Sequence, residues 1–227
     1  MLSETPLATV ARPAETAHPY AVRKRILDLS ICLILAPLAL LAMAAIALAI
    51  LIDSGRPIFF VQERVGRGGK RFRLYKFRTL VPGYDDPAGR EYMRAFVRGL
   101  VGNDKPGREW VHKPIEKRAM SRVGRLLRKS SLDELPQLLN VLRGEMSLVG
   151  PRPNVSWEVE AYLDWHYGRL EGLPGITGLA QVRGRSCISF DQIVRSDIEY
   201  IERQCATLDL KILWWTVTSV LGGRGAG

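Results

Sequence analysis

No charged side chain interrupts the chain from Leu29 to Ile52. As an α-helix this apolar stretch exceeds the roughly 20 residues needed to cross the hydrocarbon core of a bilayer. Pro37, in its first half, removes a backbone donor and predicts a bend there. Basic residues stand on both flanks. Arg23, Lys24 and Arg25 precede the stretch, and Arg56, Arg64, Arg67, Lys70, Arg71, Arg73, Lys76 and Arg78 follow it, opposed by Glu63. The bias of cytoplasmic segments towards Lys and Arg puts both ends on one side of the membrane. The pattern therefore predicts a re-entrant, kinked helix over 23–54 instead of a straight span. Asp28, one turn from Lys24 and Arg25, is expected to pair with one of them.

Beyond that stretch the period shortens. Ile58–Val61 and Phe72–Phe77 are β-prone and flank Gly66-Arg67-Gly68-Gly69, which predicts a β-hairpin within 57–79. Residues 81–118 are polar and punctuated by Gly and Pro, with a short helix expected around Arg90–Val101. Ser121–Lys129 opens a second helical block. Asn154–Arg169, with Trp157, Tyr162, Trp165 and Tyr167, reads as an amphipathic helix whose aromatic face packs in a core or seats at an interface. Pro174–Val182 reads as a turn into a short strand or loop, and Asp191–Gln204 as a helix carrying Asp197 and Glu199. Leu208–Leu221 holds Trp214 and Trp215 beside Asp209 and Lys211, a composition suited to lying in a membrane interface. The expected fold is α+β and helix-rich. It is a monotopic membrane protein with a flexible leader (1–22), the re-entrant helix (23–54), a cytosolic domain (55–221) built on the hairpin and interfacial amphipathic helices, and a flexible tail (222–227).

Charge narrows the partners. Thirty-three basic against 23 acidic residues give a net charge of +10, which suits a polyanion: nucleic acid, an anionic membrane face or a phosphorylated substrate. Next to a membrane segment, anionic inner-leaflet lipids and phosphate substrates are nearer than nucleic acid. Cys32, Cys187 and Cys205 form no disulfide framework or zinc pattern, and His18, His112 and His166 lack metal-ligand spacing. The candidate chemistry lies in Arg128–Pro153, where Asp133 and Glu134 stand between a basic run and Pro151-Arg152-Pro153. One reading is a capped amphipathic helix, with Ser131 and Glu134 as a capping box and acids in the first turn. The other is catalytic. Pro136 keeps free backbone N–H groups near Asp133, and Arg152, restrained by two prolines, offers a bidentate fork to phosphate.

Seven segments together resemble the bacterial sugar transferase family, the monotopic polyprenyl-phosphate phosphoglycosyl transferases, in their small form. They are Lys24–Asp28, Pro57–Gly66, Tyr75–Thr79, Ser131–Gln137, Gly150–Pro153, Pro174–Val182 and Leu208–Ile212. The resemblance implies transfer of a sugar 1-phosphate from a UDP-sugar to undecaprenyl phosphate, with UMP released, at the cytoplasmic face of the bacterial inner membrane. It makes Asp133 the nucleophile of a covalent phosphosugar intermediate and Glu134 the carboxylate that binds Mg²⁺. Arg128, Arg152, Lys76 and Arg78 become contacts to substrate phosphate, Asp197 a further acidic candidate, and Thr177, Gln181 and Arg183 a loop near substrate. Arg183 stands where Asn is common, a departure that bears on sugar choice. A homodimer is compatible with this reading. Two alternatives stay open from the sequence: a membrane-bound glycosyltransferase that releases UDP, and a basic membrane-anchored scaffold without catalysis.

Overall fold

The computed structural model describes residues 19–101, 119–184 and 188–222. Most of the leader expected over 1–22, part of the stretch 81–118 and most of the tail at 222–227 lie outside the described residues.

Helix α1, Ala21–Ser54, has 34 residues with Pro37 inside it, and it is long and apolar enough to cross a membrane. Its middle is uncovered: Leu33 is 75% exposed, Ile34 76% and Leu41 71%. Its two ends, by contrast, are both fastened to the rest of the chain. At the start, Lys24 Nζ lies 2.7 Å from Asp209 Oδ2, and Arg25 donates to the carbonyls of Val141 and Leu142. Asp28 accepts from Ser147 Oγ at 2.7 Å and from the Leu148 N–H at 3.3 Å. The pairing expected between Asp28 and Lys24 or Arg25 is thus corrected: acceptors and donors elsewhere take all three groups, and Lys24 acts on Asp28 only through its charge. At the far end, Ile50 packs on Phe77 and Leu127, and Asp53 accepts from the Val123 N–H at 3.1 Å.

Strands β1 (Phe59–Val65) and β2 (Arg71–Phe77) form the expected antiparallel hairpin, in register from Phe59 opposite Phe77 to Val65 opposite Arg71. Its turn runs through positive φ at Gly68 (62°) and Gly69 (77°), which glycine adopts without a Cβ penalty. Helix α2, Pro87–Val97, starts three residues before the expected Arg90 because Asp86 caps the Gly89 N–H at 2.8 Å and Pro87 fits the first turn.

Helix α3 (Arg122–Ser130) is capped by Ser121 and followed by a 3₁₀ turn, Leu132–Gln137, and helix α4 (Leu138–Arg143). The Ser131–Glu134 capping box does not form. Ser131 is the left-handed cap that ends α3, at φ 56°, and its side chain makes no capping bond to the next turn. Buried Asn140 ties α4 to β2, donating to Arg73 O at 2.7 Å and accepting from the Tyr75 N–H at 3.3 Å.

Strands β3 (Ser147–Val149) and β4 (Gly175–Thr177) pair in parallel. Between them the aromatic segment is not one helix. It forms a short α5 (Ser156–Val159) and a separate 3₁₀ helix, Asp164–Glu171. Tyr162 and His166 nevertheless reach the core beside Phe190, so packing wins over interfacial seating for them. Helix α6 (Leu179–Arg183) precedes α7 (Phe190–Arg203), which opens on a true capping box between Ser189 and Gln192. Helix α8, Ala206–Leu221, buries Asp209 and Ile212 and exposes Trp214 (66%) and Val217 (50%). The main core joins Leu74, Val141, Met146, Val149, Leu179, Tyr200 and Ile212, drawing β2, α4, both short strands, α7 and α8 together.

Candidate active site

The left-handed turn at Ser131 folds Asp133 and Glu134 back under β2. Asp133 is buried, at 8% exposure. Glu134 Oε1 takes a 2.7 Å ion pair from Lys76 Nζ and faces Arg152 Nη1 at 3.7 Å. Three strand or loop segments therefore meet at one acidic dipeptide: β2 through Lys76, the turn itself, and the loop after β3 through Arg152. Arg128, in the last turn of α3, acts electrostatically on both carboxylates. Its placement there also suits the negative end of the helix dipole. A small cavity opens at this point, lined by Arg64, Lys76, Glu134, Gln137, Arg152 and Ile176, among others.

The two acids sit in different fields. Burial pushes Asp133 above its ordinary value, and neighbouring Glu134 adds to the rise, while Lys76 and Arg128 oppose it. Burial pushes Glu134 up as well, but Lys76 and Arg152 outweigh it and hold the carboxyl below its ordinary value. Burial lowers Lys76, with Glu134 pulling the other way. Burial and the nearby Arg152 charge push Arg64 down to about 10. Cations outnumber acids around this cavity, a charge balance that an anionic ligand would complete.

The remaining expected residues are distributed elsewhere. Arg78 does not join the cluster: its Nη2 donates to Ser54 O at 3.0 Å and Gly55 O at 2.7 Å, so its recorded bonds cap the end of α1. Asp197 is taken up by Arg169 at 2.6 Å, both side chains being almost fully buried behind the Arg152 loop. Thr177 Oγ1 bonds Thr216 Oγ1 at 2.7 Å, and Gln181 Nε2 donates to Ile176 O at 3.2 Å. Arg183 makes a two-pronged pair with Glu199 and lines a separate groove bordered by α6, α7 and α8. None of these three lines the cavity, but Thr177 follows the lining residue Ile176 and Gln181 bonds its carbonyl.

Sequence reasoning passed over Arg64. It lies in the Pro57–Gly66 segment, but its side-chain direction follows from the β1 register, which the segment alone does not give. Its Nη1 donates to Pro153 O at 3.2 Å and its Nη2 to Gln62 Oε1 at 2.7 Å, while its buried Nε has no hydrogen-bond partner. Asp209 was also missed as an anchor. Three donors satisfy it: Tyr20 and Lys24 at the start of α1, distant in sequence, and Tyr200 from the neighbouring α7.

Comparison with known proteins supplies the relatives of this arrangement. The family model described as bacterial sugar transferase matches residues 19–223. The uncharacterized sugar transferase EpsL of Bacillus subtilis is 38% identical over 208 residues, covering 90% of each chain. The UDP-glucose:undecaprenyl-phosphate glucose-1-phosphate transferase of Caulobacter vibrioides is 40% identical, covering 88% of this chain and 70% of that one. The exopolysaccharide production protein ExoY of Sinorhizobium fredii is 36% identical over the whole of both chains. By the extent of these matches, the chain belongs to the bacterial sugar transferase family.

Proposed function

We propose that this chain is a phosphoglycosyl transferase that moves a sugar 1-phosphate from a UDP-sugar to undecaprenyl phosphate in exopolysaccharide or related glycoconjugate assembly. The observation that carries the proposal is the burial of Asp133 within the electrostatic reach of Lys76 and Arg128, beside a Glu134 held by Lys76 and Arg152. A carboxylate is a competent phosphoryl acceptor when cations neutralise the phosphoryl oxygens. In the proposed reaction an Asp133 oxygen attacks the sugar-bearing phosphorus, and the phosphorus–oxygen bond to UMP breaks with its electrons leaving on UMP. The phosphate oxygen of undecaprenyl phosphate then attacks the same phosphorus, displaces Asp133 as carboxylate and leaves a polyprenyl diphosphosugar.

Each cation has a task in this scheme. Lys76 and Arg152 face the diphosphate from two sides, and Arg128 offsets the charge growing near Asp133. In a partly dehydrated site these fixed charges act more strongly than in water. Two adjacent carboxylates also suit Mg²⁺, which takes one or two protein carboxylates and fills its shell with substrate phosphate oxygens. Glu134, the more firmly ionised of the two, would hold the metal, whose charge would offset that of the diphosphate.

The membrane reading follows from α1. Both of its ends bind the same folded unit, through buried polar contacts at the start and a part-buried one at Asp53, while the apolar middle is uncovered. We infer that α1 enters and leaves the inner membrane by its cytoplasmic face, with α8 and its exposed tryptophans at the interface. The test is incubation of purified protein with a panel of UDP-sugars and undecaprenyl phosphate. UMP release and a phosphosugar adduct on Asp133 when acceptor is withheld are expected, both lost in Asp133→Asn and on chelation of divalent metal. Release of UDP instead, or full turnover by Asp133→Asn, would overturn the proposal.

A further inference from the structure

We infer that the buried Arg169–Asp197 pair is a positioning device for Arg152, an inference that rests on the reaction proposed above. Arg169 spreads its guanidinium over four acceptors. Nη2 donates to Asp197 Oδ2 at 2.6 Å and to the main-chain carbonyl of Arg152 at 3.1 Å. Nη1 donates to Asn154 Oδ1 at 2.7 Å and to the Tyr162 hydroxyl at 2.9 Å. The two charged side chains are 2% and 3% exposed.

The segment being held is short and stiff. Every carbonyl from Pro151 to Asn154 accepts a hydrogen bond: Pro151 from the Gly175 N–H, Arg152 from Arg169, Pro153 from Arg64, and Asn154 from the Val65 N–H. The two prolines fix φ on either side of Arg152, and Pro153 also confines Arg152 itself to extended backbone, so what the carbonyl binds sets its aim within that region. The Arg152 side chain is itself 53% exposed, and its ion pair with Glu134 is long, at 3.7 Å. Its aim at the carboxylates therefore comes from the main chain, and Arg169 grips that main chain at the residue itself.

Energetics point the same way. A buried ion pair contributes little that well-packed apolar side chains would not, because desolvation offsets the attraction. Aiming one prong of a guanidinium at a catalytic loop is a task that apolar packing cannot perform. Asp197 in turn holds Arg169 charged and correctly turned. It touches neither substrate nor the carboxylates in this scheme, so it acts through Arg152.

A double-mutant cycle tests this. Asp197→Asn is measured in the wild-type background and in the Arg152→Ala background, reading initial UMP release and the melting transition of each protein. Misplacing a catalytic contact by about 1 Å costs up to about a hundredfold, so Asp197→Asn is expected to lower kcat/KM on the order of tenfold or more in the wild-type background. In the Arg152→Ala background little further loss is expected, since the group being positioned is gone. Equal losses in both backgrounds, or no loss in either, would overturn the inference. Where Asp197→Asn yields no folded protein, Tyr162→Phe and Asn154→Ala, each removing one bond to Arg169, take its place under the same criterion. If Arg152→Ala alone leaves turnover intact, the proposed site itself fails and the positioning role falls with it; a loss in Arg152→Ala without coupling sinks only the positioning role.

Discussion

Asp133 and Glu134 are neighbours in the chain, yet the fold drives their acidities in opposite directions. Glu134, held below its ordinary value, contributes stability that is present above its unfolded pKa and is lost as pH falls through the depressed value. Asp133, raised by burial, works in the reverse sense: its ionisation in the folded state costs stability as pH rises. As the proposed nucleophile it must be ionised, so adduct formation should show an acid limb that follows the Asp133 carboxyl. Lys76→Met should move that limb further upwards, because Lys76 is the strongest influence holding Asp133 down. An acid limb that does not move upwards in Lys76→Met, measured by rapid quench with UDP-sugar alone, would refute the assignment. Arg64 gives a second prediction at this scale. Its guanidinium lines the cavity and holds Gln62 and Pro153 at once. Losing a charge-assisted hydrogen bond costs about 1.5–3 kcal/mol, so Arg64→Ala should lower kcat/KM for the donor about ten- to hundredfold. Arg64→Lys should not restore it, since an ammonium lacks the fork. Unchanged donor kinetics in Arg64→Ala would count against a role in the site.

Among the elements, what could be foreseen follows the range of the interaction that makes each one. The hairpin and α7 answer to local signals: β-prone runs around Gly68-Gly69, and Ser189 with Gln192. Asp133, Glu134 and Arg152 were legible through the motifs that carry the family resemblance. What was not legible depends on neighbouring elements and distant partners. Ser131 fits a capping box by spacing, but α3 arrives first and takes it as a left-handed end. Asp197 was expected as a further acidic candidate, and its partner Arg169, in a different element, is not legible from its spacing. Lys24 finds Asp209, 185 positions away, instead of Asp28 one turn along. That last contact predicts how α1 is held. Removing one partner of a buried ion pair costs about 3–5 kcal/mol, so Lys24→Met should lower the stability of the folded unit by about that amount. The exposed pair Arg71–Glu63, with side chains 52% and 54% exposed, should cost only about 0–1 kcal/mol on Arg71→Ala. Chemical denaturation in detergent micelles compares the two, and equal effects would contradict the anchoring role.

For the whole molecule, the proposed relation to the bilayer draws on the distribution of polar anchors and uncovered apolar surface. A straight helix of 34 residues would extend about 51 Å and carry its second end away from the first. Yet Asp28 bonds Ser147 and Asp53 bonds Val123, both in the same folded unit. Between them Leu33, Ile34, Leu38 and Leu41 are uncovered, as are Trp214 and Val217 on α8. If the helix crossed the membrane, one set of these polar contacts would have to form on the far side, apart from the domain that supplies its partners. Two exposed sites, one before α1 and one in the hairpin turn, should therefore share a side. Single cysteines at Pro19→Cys and Arg67→Cys, with Cys32, Cys187 and Cys205 replaced, can be probed in spheroplasts with a membrane-impermeant maleimide. Both should resist labelling until the membrane is opened, because the proposed topology puts both on the cytoplasmic side. Labelling of one in intact spheroplasts and not the other would require a crossing helix, and would separate the membrane topology from the catalytic assignment, which rests on Asp133 and its cations alone.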